Sequence, residues 1–577
     1  MATISVLVND VRIIAEAGKT ILEICRDAGV SVPALCSHPR LKPPEICGLC
    51  VVEAQGQGAL IKSCAKLAEE GMAIYTESPK VVASRIETLN NILTTHPNDC
   101  LSCPKTGGNC LLQDVSHLYG VNPPVRRVMH RGADHSSPAI IRDMDKCIGC
   151  GRCVIFCETI QKIGVYEHIC TDDDRYVTTK NGFPLSETGC ISCGQCVKAC
   201  PVGALQEKNE VYGVLKALGD PAKRVIFQMA PAVHNTAGEE FGLSGGVDVA
   251  KKLPTALRKL GAAVFSTGFT ADVTILEESA EFIDRVTNGG VLPIFTSCCP
   301  GWVTFAEMNY PQLLAHLSSC KSPQQMFGAL LKSYYAEKEN INPKDIFHVS
   351  IMPCVAKKYE RQRQEMKNRE TGQWDIDAVL TTREAAKLLR FFNIDLARQE
   401  DSGFDALMGE DTGAARIFAA SGGVTEAALR TVVMKLSGNR LDTIDFTALR
   451  DAENVKEAEF EILGMKVRVA VVNGIGNARE VLDAVAAGRS PYHFIEFMAC
   501  PGGCVGGGGS PIRGDNVVRT ESIYRSDANN PVRRSHENRE VLKLYKEYLV
   551  EPCGEKSHRL LHTRYVDRSG EVKNTAP

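Results

Sequence analysis

No run of about 18 apolar residues occurs in the 577-residue chain, which excludes a helical membrane span. The segment Met1 to Asn9 lacks a basic start followed by an apolar stretch, so no secretory leader is expected. Positive charge is not in excess either. The formal net charge is -3, and no nucleic-acid or other polyanionic partner is expected. A full G-x-G-x-x-G fingerprint is missing, since Asn473-Gly-Ile-Gly-Asn-Ala falls short of it; no flavin or nucleotide site is expected within the chain. What is abundant is cysteine, with 24 residues. They cluster at metal-ligand gaps in a large chain without a leader. Disulfides are therefore not expected, and iron–sulfur ligation in a reducing cytoplasm is. At roughly 150 residues per domain, the length calls for several domains.

Residues 1–80 open with the alternating strand Thr3 to Val8, a turn at Asn9-Asp10, a second strand and an amphipathic helix near Thr20 to Ala28. Cys36, Cys47, Cys50 and Cys64 follow, separated by ten, two and thirteen residues. The central C-x2-C resembles plant-type 2Fe-2S ferredoxins. The longer first gap resembles the start of complex I large subunits. A zinc site is the alternative for the same thiols. Cys25 falls on the helix's apolar face and is expected in the core. Residues 81–125 carry His96, Cys100, Cys103 and Cys110, one imidazole and three thiols suited to a 4Fe-4S cubane. Six residues precede Cys110, where five are usual, and the Gly107-Gly108 pair is expected to absorb the extra one. Residues 126–210 hold an internal repeat of the bacterial two-cubane ferredoxin run. In that run the fourth cysteine of each half serves the other cluster. One cubane is expected on Cys147, Cys150, Cys153 and Cys200. The other is expected on Cys190, Cys193, Cys196 and Cys157.

From 211 to about 515, strand and helix patterns alternate, as in Arg224 to Gln228, a helix from Asp248 to Gly261, and Val264-Phe265. Repeated βα units argue for an α/β region. Three cysteine motifs lie in it: FTSCCPGW with Cys298 and Cys299, MPCVAKK with Cys354, and MACPGGCVGGGG with Cys500 and Cys504. Side chains of adjacent residues diverge, so Cys298 and Cys299 do not both ligate one cluster. Cys299 reads as a ligand, and Cys298 as a free thiol facing whatever the cluster binds. Cys299, Cys354, Cys500 and Cys504 make a four-thiolate set suited to a cubane. The glycines Gly502 to Gly509 are expected to let the backbone approach an inorganic centre. Residues 516–577 form a charged tail with helical spacing, expected to pack around the catalytic region. Cys320 and Cys553 have no ligand neighbours in sequence and are expected to be inert.

These three motifs, in this order, resemble the catalytic domain of iron-only (FeFe) hydrogenases. The implied fold is multidomain α+β and α/β. It comprises a β-grasp 2Fe-2S ferredoxin-like domain, a His/Cys cluster segment, a two-cubane ferredoxin domain, and the α/β FeFe-hydrogenase catalytic domain. The implied reaction is H2 = 2 H+ + 2 e-. The implied cofactors are one 2Fe-2S cluster, three accessory 4Fe-4S clusters and an H-cluster. The H-cluster is a 4Fe-4S cubane plus a diiron unit with CO, cyanide and a dithiolate bridge, which needs maturation proteins. Cys298, Glu278, Ser318 and Glu281 match the family's proton relay. Glu278 and Glu281 lie three apart on one helix face, and Arg285, four beyond Glu281, is placed to hold that carboxylate. Lys357 matches a donor to cyanide. Pro231, Ala232, Ser322, Gln324, Met352, Phe418 and Met498 match pocket-lining positions. The implied electron partners are ferredoxin and/or flavin- and NAD(P)-binding subunits. A complex I-like electron-transfer scaffold is the competing reading, but it leaves the three catalytic motifs unexplained.

Overall fold

A computed structural model describes residues 2–105, 109–122, 130–171, 174–368, 371–437, 445–450, 454–462 and 465–573. The pair Gly107-Gly108 lies outside them. The chain forms two compact units. One is Met1–Ile160, Gly164–Leu185 and Cys196–Gln206; the other is Gln161–Ile163, Ser186–Gln195 and Glu207–Pro577.

The first unit begins with β1 (Thr3–Val8), β2 (Val11–Glu16), β3 (Val51–Ala54), β4 (Ile61–Lys62) and β5 (Ala73–Tyr75), in sheet order β2-β1-β5-β3-β4. Alternation in β1 turns Val6 and Val8 inward. The helix Ile21–Asp27 starts at a capping box, with the Thr20 amide donating to Glu23 Oε2 at 2.8 Å and the Glu23 amide to Thr20 Oγ1 at 3.3 Å. It buries Ile21, Ile24 and Cys25 against that sheet, so Cys25 is a core residue. The helices Pro79–Thr95 and Leu111–Leu118 follow, one ending at His96 and the other starting after Cys110. Short strands β6 (Ala133–Asp134), β7 (Ile140–Asp143), β8 (Tyr166–Cys170), β9 (Arg175–Thr179) and β10 (Leu205–Glu207) frame the ferredoxin-like repeat.

The second unit is built on two four-stranded sheets. β11 (Arg224–Met229), β12 (Ala263–Ser266), β14 (Ile346–Met352) and β15 (Ala378–Thr381) run in the order β12-β11-β14-β15, all parallel. β13 (Ile294–Phe295), β16 (Val455–Ile462), β17 (Met465–Asn473) and β18 (Phe494–Met498) run β13-β18-β17-β16, with only the β16–β17 pair antiparallel. Strands covered on both faces read as near-continuous apolar runs. That explains why Arg224 to Gln228 stands out in sequence.

Two expectations change. The helix expected from Asp248 to Gly261 is only Lys252–Arg258. Asp248 Oδ1 accepts from the Ala250 amide at 2.9 Å, a local turn that competes with helix, and Gly261 sits at φ +79°. The tail does more than pack around the outside. Its helices Asn516–Ala528, Arg539–Leu544 and Glu555–Leu561 bring buried Asp527, Asn538 and His562 into the interior. Asn538 Nδ2 donates to the buried carboxylate of Asp272 at 2.9 Å.

Candidate active site

Parallel strands leave their loops at one end, and ligand sites of open α/β sheets lie at those carboxyl ends. Here the loops after β11, β13, β14 and β18 carry Pro231 and Ala232, Cys298 and Cys299, Cys354, and Cys500 and Cys504, respectively. Trp302 anchors the second of these. It is fully buried, its ring stacks on Phe497 with centroids 3.9 Å apart, and its indole N–H donates to Thr296 O at 3.0 Å. The helix Pro300–Asn309 therefore starts at a fixed point, with Cys299 as its N-cap residue. Cys299 Sγ accepts from the Ala499 amide at 3.4 Å, which ties the SCCPGW loop to the loop after β18.

The four expected ligand thiols converge. Cys354 feels the charges of Cys500, Cys299 and Cys504, and Cys504 those of Cys299 and Cys500. The glycine run is packed tightly against backbone. A Cβ on Gly507 would stand 2.2 Å from Pro353 O, on Gly503 2.6 Å from Ser421 N, and on Gly506 2.4 Å from Pro501 O. The glycines thus let the Cys504 loop close onto protein backbone, beside Cys354. On Gly508 the added carbon would meet Cys193 O at 2.3 Å, and Gln195 Nε2 donates to Gly506 O at 2.9 Å. The segment bearing Cys190 and Cys193 is held directly against this loop. Four thiols carried on three strand-end loops fit a cubane by donor type and number.

Lys357 is buried and donates to Cys298 O at 3.1 Å and to both oxygens of Glu360, at 3.1 and 3.0 Å. Burial opposes its charge, but Glu360 and the nearby thiols hold its pKa above the ordinary lysine value. Glu360 also accepts from Ser322 Oγ at 2.9 Å and from Gln324 Nε2 at 3.0 Å. Gln324 Oε1 in turn accepts from Ser350 at 2.8 Å. The polar ends of Ser322 and Gln324 are thus spent on positioning Glu360. Ala232, Phe418 and Met498 pack in one apolar cluster with Cys298, Cys299 and Cys504, while Met352 packs with Cys354. Pro231 is buried as the first residue of its helical turn.

The relay residues form a line from interior to surface on the helix Gly268–Thr287. Glu278 is fully buried against an apolar pocket lined by Phe282, Leu429, Val432 and Val469. Neither of its oxygens makes a hydrogen bond. Burial, then the neighbouring Glu281 charge, pushes its carboxyl up to about 8. Burial and the Glu278 charge also push the Cys298 thiol well above its ordinary range. Ser318 Oγ donates to Glu281 at 2.8 Å and lies near enough to Glu278 to ease its anion. Arg285 grips Glu281 at 2.6 Å and donates to Leu317 O at 2.9 Å and Ala315 O at 3.1 Å. Side-chain exposure rises to 12% at Glu281 and 15% at Arg285.

The comparisons match this geometry. Residues 223–508 fit the family model described as iron only hydrogenase large subunit, C-terminal domain, and residues 516–568 fit iron hydrogenase small subunit. Residues 1–79, 85–124 and 146–204 fit a 2Fe-2S iron-sulfur cluster binding domain, an NADH-ubiquinone oxidoreductase-G iron-sulfur binding region and a 4Fe-4S dicluster domain. The NADP-reducing hydrogenase subunit HndD of Solidesulfovibrio fructosivorans is 43% identical, covering 96% of this chain and 97% of that protein. The chain belongs to the iron-only hydrogenase family. It is an oxidoreductase that carries iron–sulfur cofactors. Iron hydrogenase 1 of Clostridium pasteurianum is 38% identical, covering 97% of this hydrogenase and 99% of that one. A solved structure of a single-residue variant of the [FeFe]-hydrogenase HydA1 from Chlamydomonas reinhardtii matches at TM-score 0.56 and 39% identity, over 62% of this chain and 99% of that chain.

In the first unit of this hydrogenase, thiols of three of the expected sets also come together. Cys50 Sγ lies 3.2 Å from Cys64 Sγ, the Cys47 amide donates to Cys36 Sγ at 3.5 Å, and Cys64 feels the charges of Cys36 and Cys47. Cys110 feels Cys103 and Cys100. His96 Nδ1 lies 2.9 Å from Pro97 O, which assigns its N–H there and the lone pair to Nε2. Cys147, Cys150, Cys153 and Cys200 line one pocket. Of the other cubane set, Cys157 and Cys196 belong to the first unit, and Cys190 and Cys193 to the second. No helix among the described residues is long and apolar enough to cross a membrane.

Sequence reasoning missed Glu360, Ser319, Tyr565 and His562. The Ser319 amide donates to both Glu281 oxygens at 3.2 Å, and Tyr565 Oη donates to Ser318 O at 2.6 Å. Only Glu360 carried a local signal, three residues after Lys357 on one helix.

Proposed function

We propose that Cys299, Cys354, Cys500 and Cys504 hold the H-cluster cubane, and that Cys298, Glu278, Ser318 and Glu281 carry protons between it and solvent. The convergence of the four thiols at the strand ends is the observation that carries this reading. The bound cluster supplies the metal at which dihydrogen is split or formed. The chain moves the protons. Cys298 rests as a thiol and is the first donor and acceptor. Glu278, kept neutral at pH 7 by burial, passes the proton on by rotation of its unbonded carboxyl. Glu281 receives it, with Ser318 as bridge and Arg285 as the positioning cation at the exit. Lys357 presents its ammonium, fixed by Glu360, to the anionic cyanide ligands. Pro231, Ala232, Met352, Phe418 and Met498 keep water out of the pocket.

Electrons leave through the Cys190–Cys193 segment, whose contact with the Gly506–Gly508 turn supports a short transfer. Four accessory centres extend the wire: a 2Fe-2S cluster on Cys36, Cys47, Cys50 and Cys64, and three 4Fe-4S clusters on the remaining His and Cys sets. The 43% identity to an NADP-reducing hydrogenase subunit supports NADP-linked partner subunits as the terminus, ahead of ferredoxin alone, and a cytoplasmic location goes with that reading. Infrared spectra of the matured protein test the assignment. Bands of metal-bound CO and cyanide are expected, and their absence after full maturation refutes it.

A further inference from the structure

Cys553, set aside by its sequence surroundings, has two imidazoles for neighbours. It precedes the helix Glu555–Leu561, which carries His558, and His562 follows as the C-cap residue. The spacing is C-x4-H-x3-H, and the i,i+4 relation puts both imidazoles on one face, with ring centroids 4.0 Å apart. Cys553 has a positive φ of 56°, which directs its chain back toward that face. One ligand atom from each of Cys553, His558 and His562 lies within 4.8 Å of the others.

The floor of this cluster is anionic. Glu277 is fully buried, accepts from the Cys553 amide at 2.6 Å, and has Oε2 3.1 Å from His562 Nε2. Tyr545 Oη, at 2.5 Å, and Ser557 Oγ hold its other oxygen in place. Lys435 brings one positive charge toward Glu277 and Cys553. The mouth is open, because His558 is exposed while His562 is buried.

We propose that Cys553, His558 and His562 bind a zinc-type divalent cation, with Glu277 completing or buttressing the set. One thiolate and two imidazoles select a borderline-soft ion over calcium or magnesium. Zinc bonds of about 2.3 Å to sulfur and about 2.0 Å to nitrogen require the three atoms to close up slightly, which the exposed His558 side chain can do. Binding displaces the Cys553 thiol proton to solvent and forms one metal–sulfur and two metal–nitrogen bonds. The bound ion would staple the tail to the helix Gly268–Thr287. The site stands apart from the iron thiols and does not depend on the proposed proton route.

Zinc is the probe, added to full-length protein with its iron–sulfur clusters loaded and then passed through a desalting column. One retained zinc per chain is expected, with one sulfur and two imidazole scatterers in its X-ray absorption fine structure. Cys553→Ser and His558→Gln should each weaken retention by about 100-fold, at least the effect of losing a supporting contact. Cys170→Ser, at an exposed thiol on β8, should leave retention unchanged. Iron content per chain serves as the folding control, and His558→Gln alters only an exposed side chain. Zinc lodged in an iron site would show three or four sulfurs and ignore His558→Gln. That outcome, or no retained zinc, overturns the proposal.

Discussion

Replacing Glu278 by glutamine separates stability from turnover. The carboxyl's ordinary pKa of 4.5 rises to about 8 in the folded chain, because burial penalises the anion and Glu281 adds a like charge. Between those two values the folded state holds a proton that the unfolded state has lost. Stability therefore falls as pH rises, by about 1.4 kcal/mol per unit. At pH 7 the group costs on the order of 3 kcal/mol relative to its own behaviour at pH 4.5. Glutamine has nearly the same shape and no charge, and buries a comparable polar group. Glu278→Gln should thus raise stability at pH 7 by up to ~3 kcal/mol, by about 1 kcal/mol at pH 5.5, and not at all at pH 4.5. Apparent melting temperatures of variant and wild type across that range read the difference directly. Hydrogen evolution should meanwhile fall by about 100-fold or more, the usual value of a positioned proton carrier. A stability gap that does not widen with pH, or turnover within about twofold of wild type, refutes the reasoning.

Three other perturbations probe the same unit. Cys298→Ala and Glu281→Gln should each leave the cluster electron paramagnetic resonance signals in place while crippling hydrogen evolution; unchanged evolution in either removes the proposed route. Glu360→Gln leaves the Lys357 ammonium buried without its carboxylate and should cost about 3–5 kcal/mol, whereas adding Lys357→Met should recover much of that, since the loss comes from an unpaired charge. Equal melting of the single and double variants would contradict this. Gly507→Ala puts a methyl 2.2 Å from Pro353 O and should lower iron per chain, whereas Gly213→Ala, with open space around it, should not; equal iron content in the two would show that the loop has slack.

The thiols proposed as ligands stood out in sequence because such sets are written locally, in C-x2-C steps and short loops. Glu281 and Arg285 were legible for the same reason, as an i,i+4 pair on one helix. Two neighbouring lysines hid a third pair. Lys357 turns to Cys298 and Glu360, while Lys358 turns to Glu384 at 2.9 Å, and sequence alone does not say which goes where. The glycine run was legible as a need for space but not for what fills it. The neighbours of Gly507 and Gly503 are Pro353 and Ser421, brought in by the sheet order. Ser319 and His562 meet at 2.8 Å across 243 residues, and no local pattern announces that.

The bond from Tyr565 to the Ser318 carbonyl has a bearing on biosynthesis. A ribosome makes Ser318 first and must add 247 residues before its partner exists. Until then the wall beside Glu281 lacks a panel, and the nascent catalytic half remains unsealed along that side.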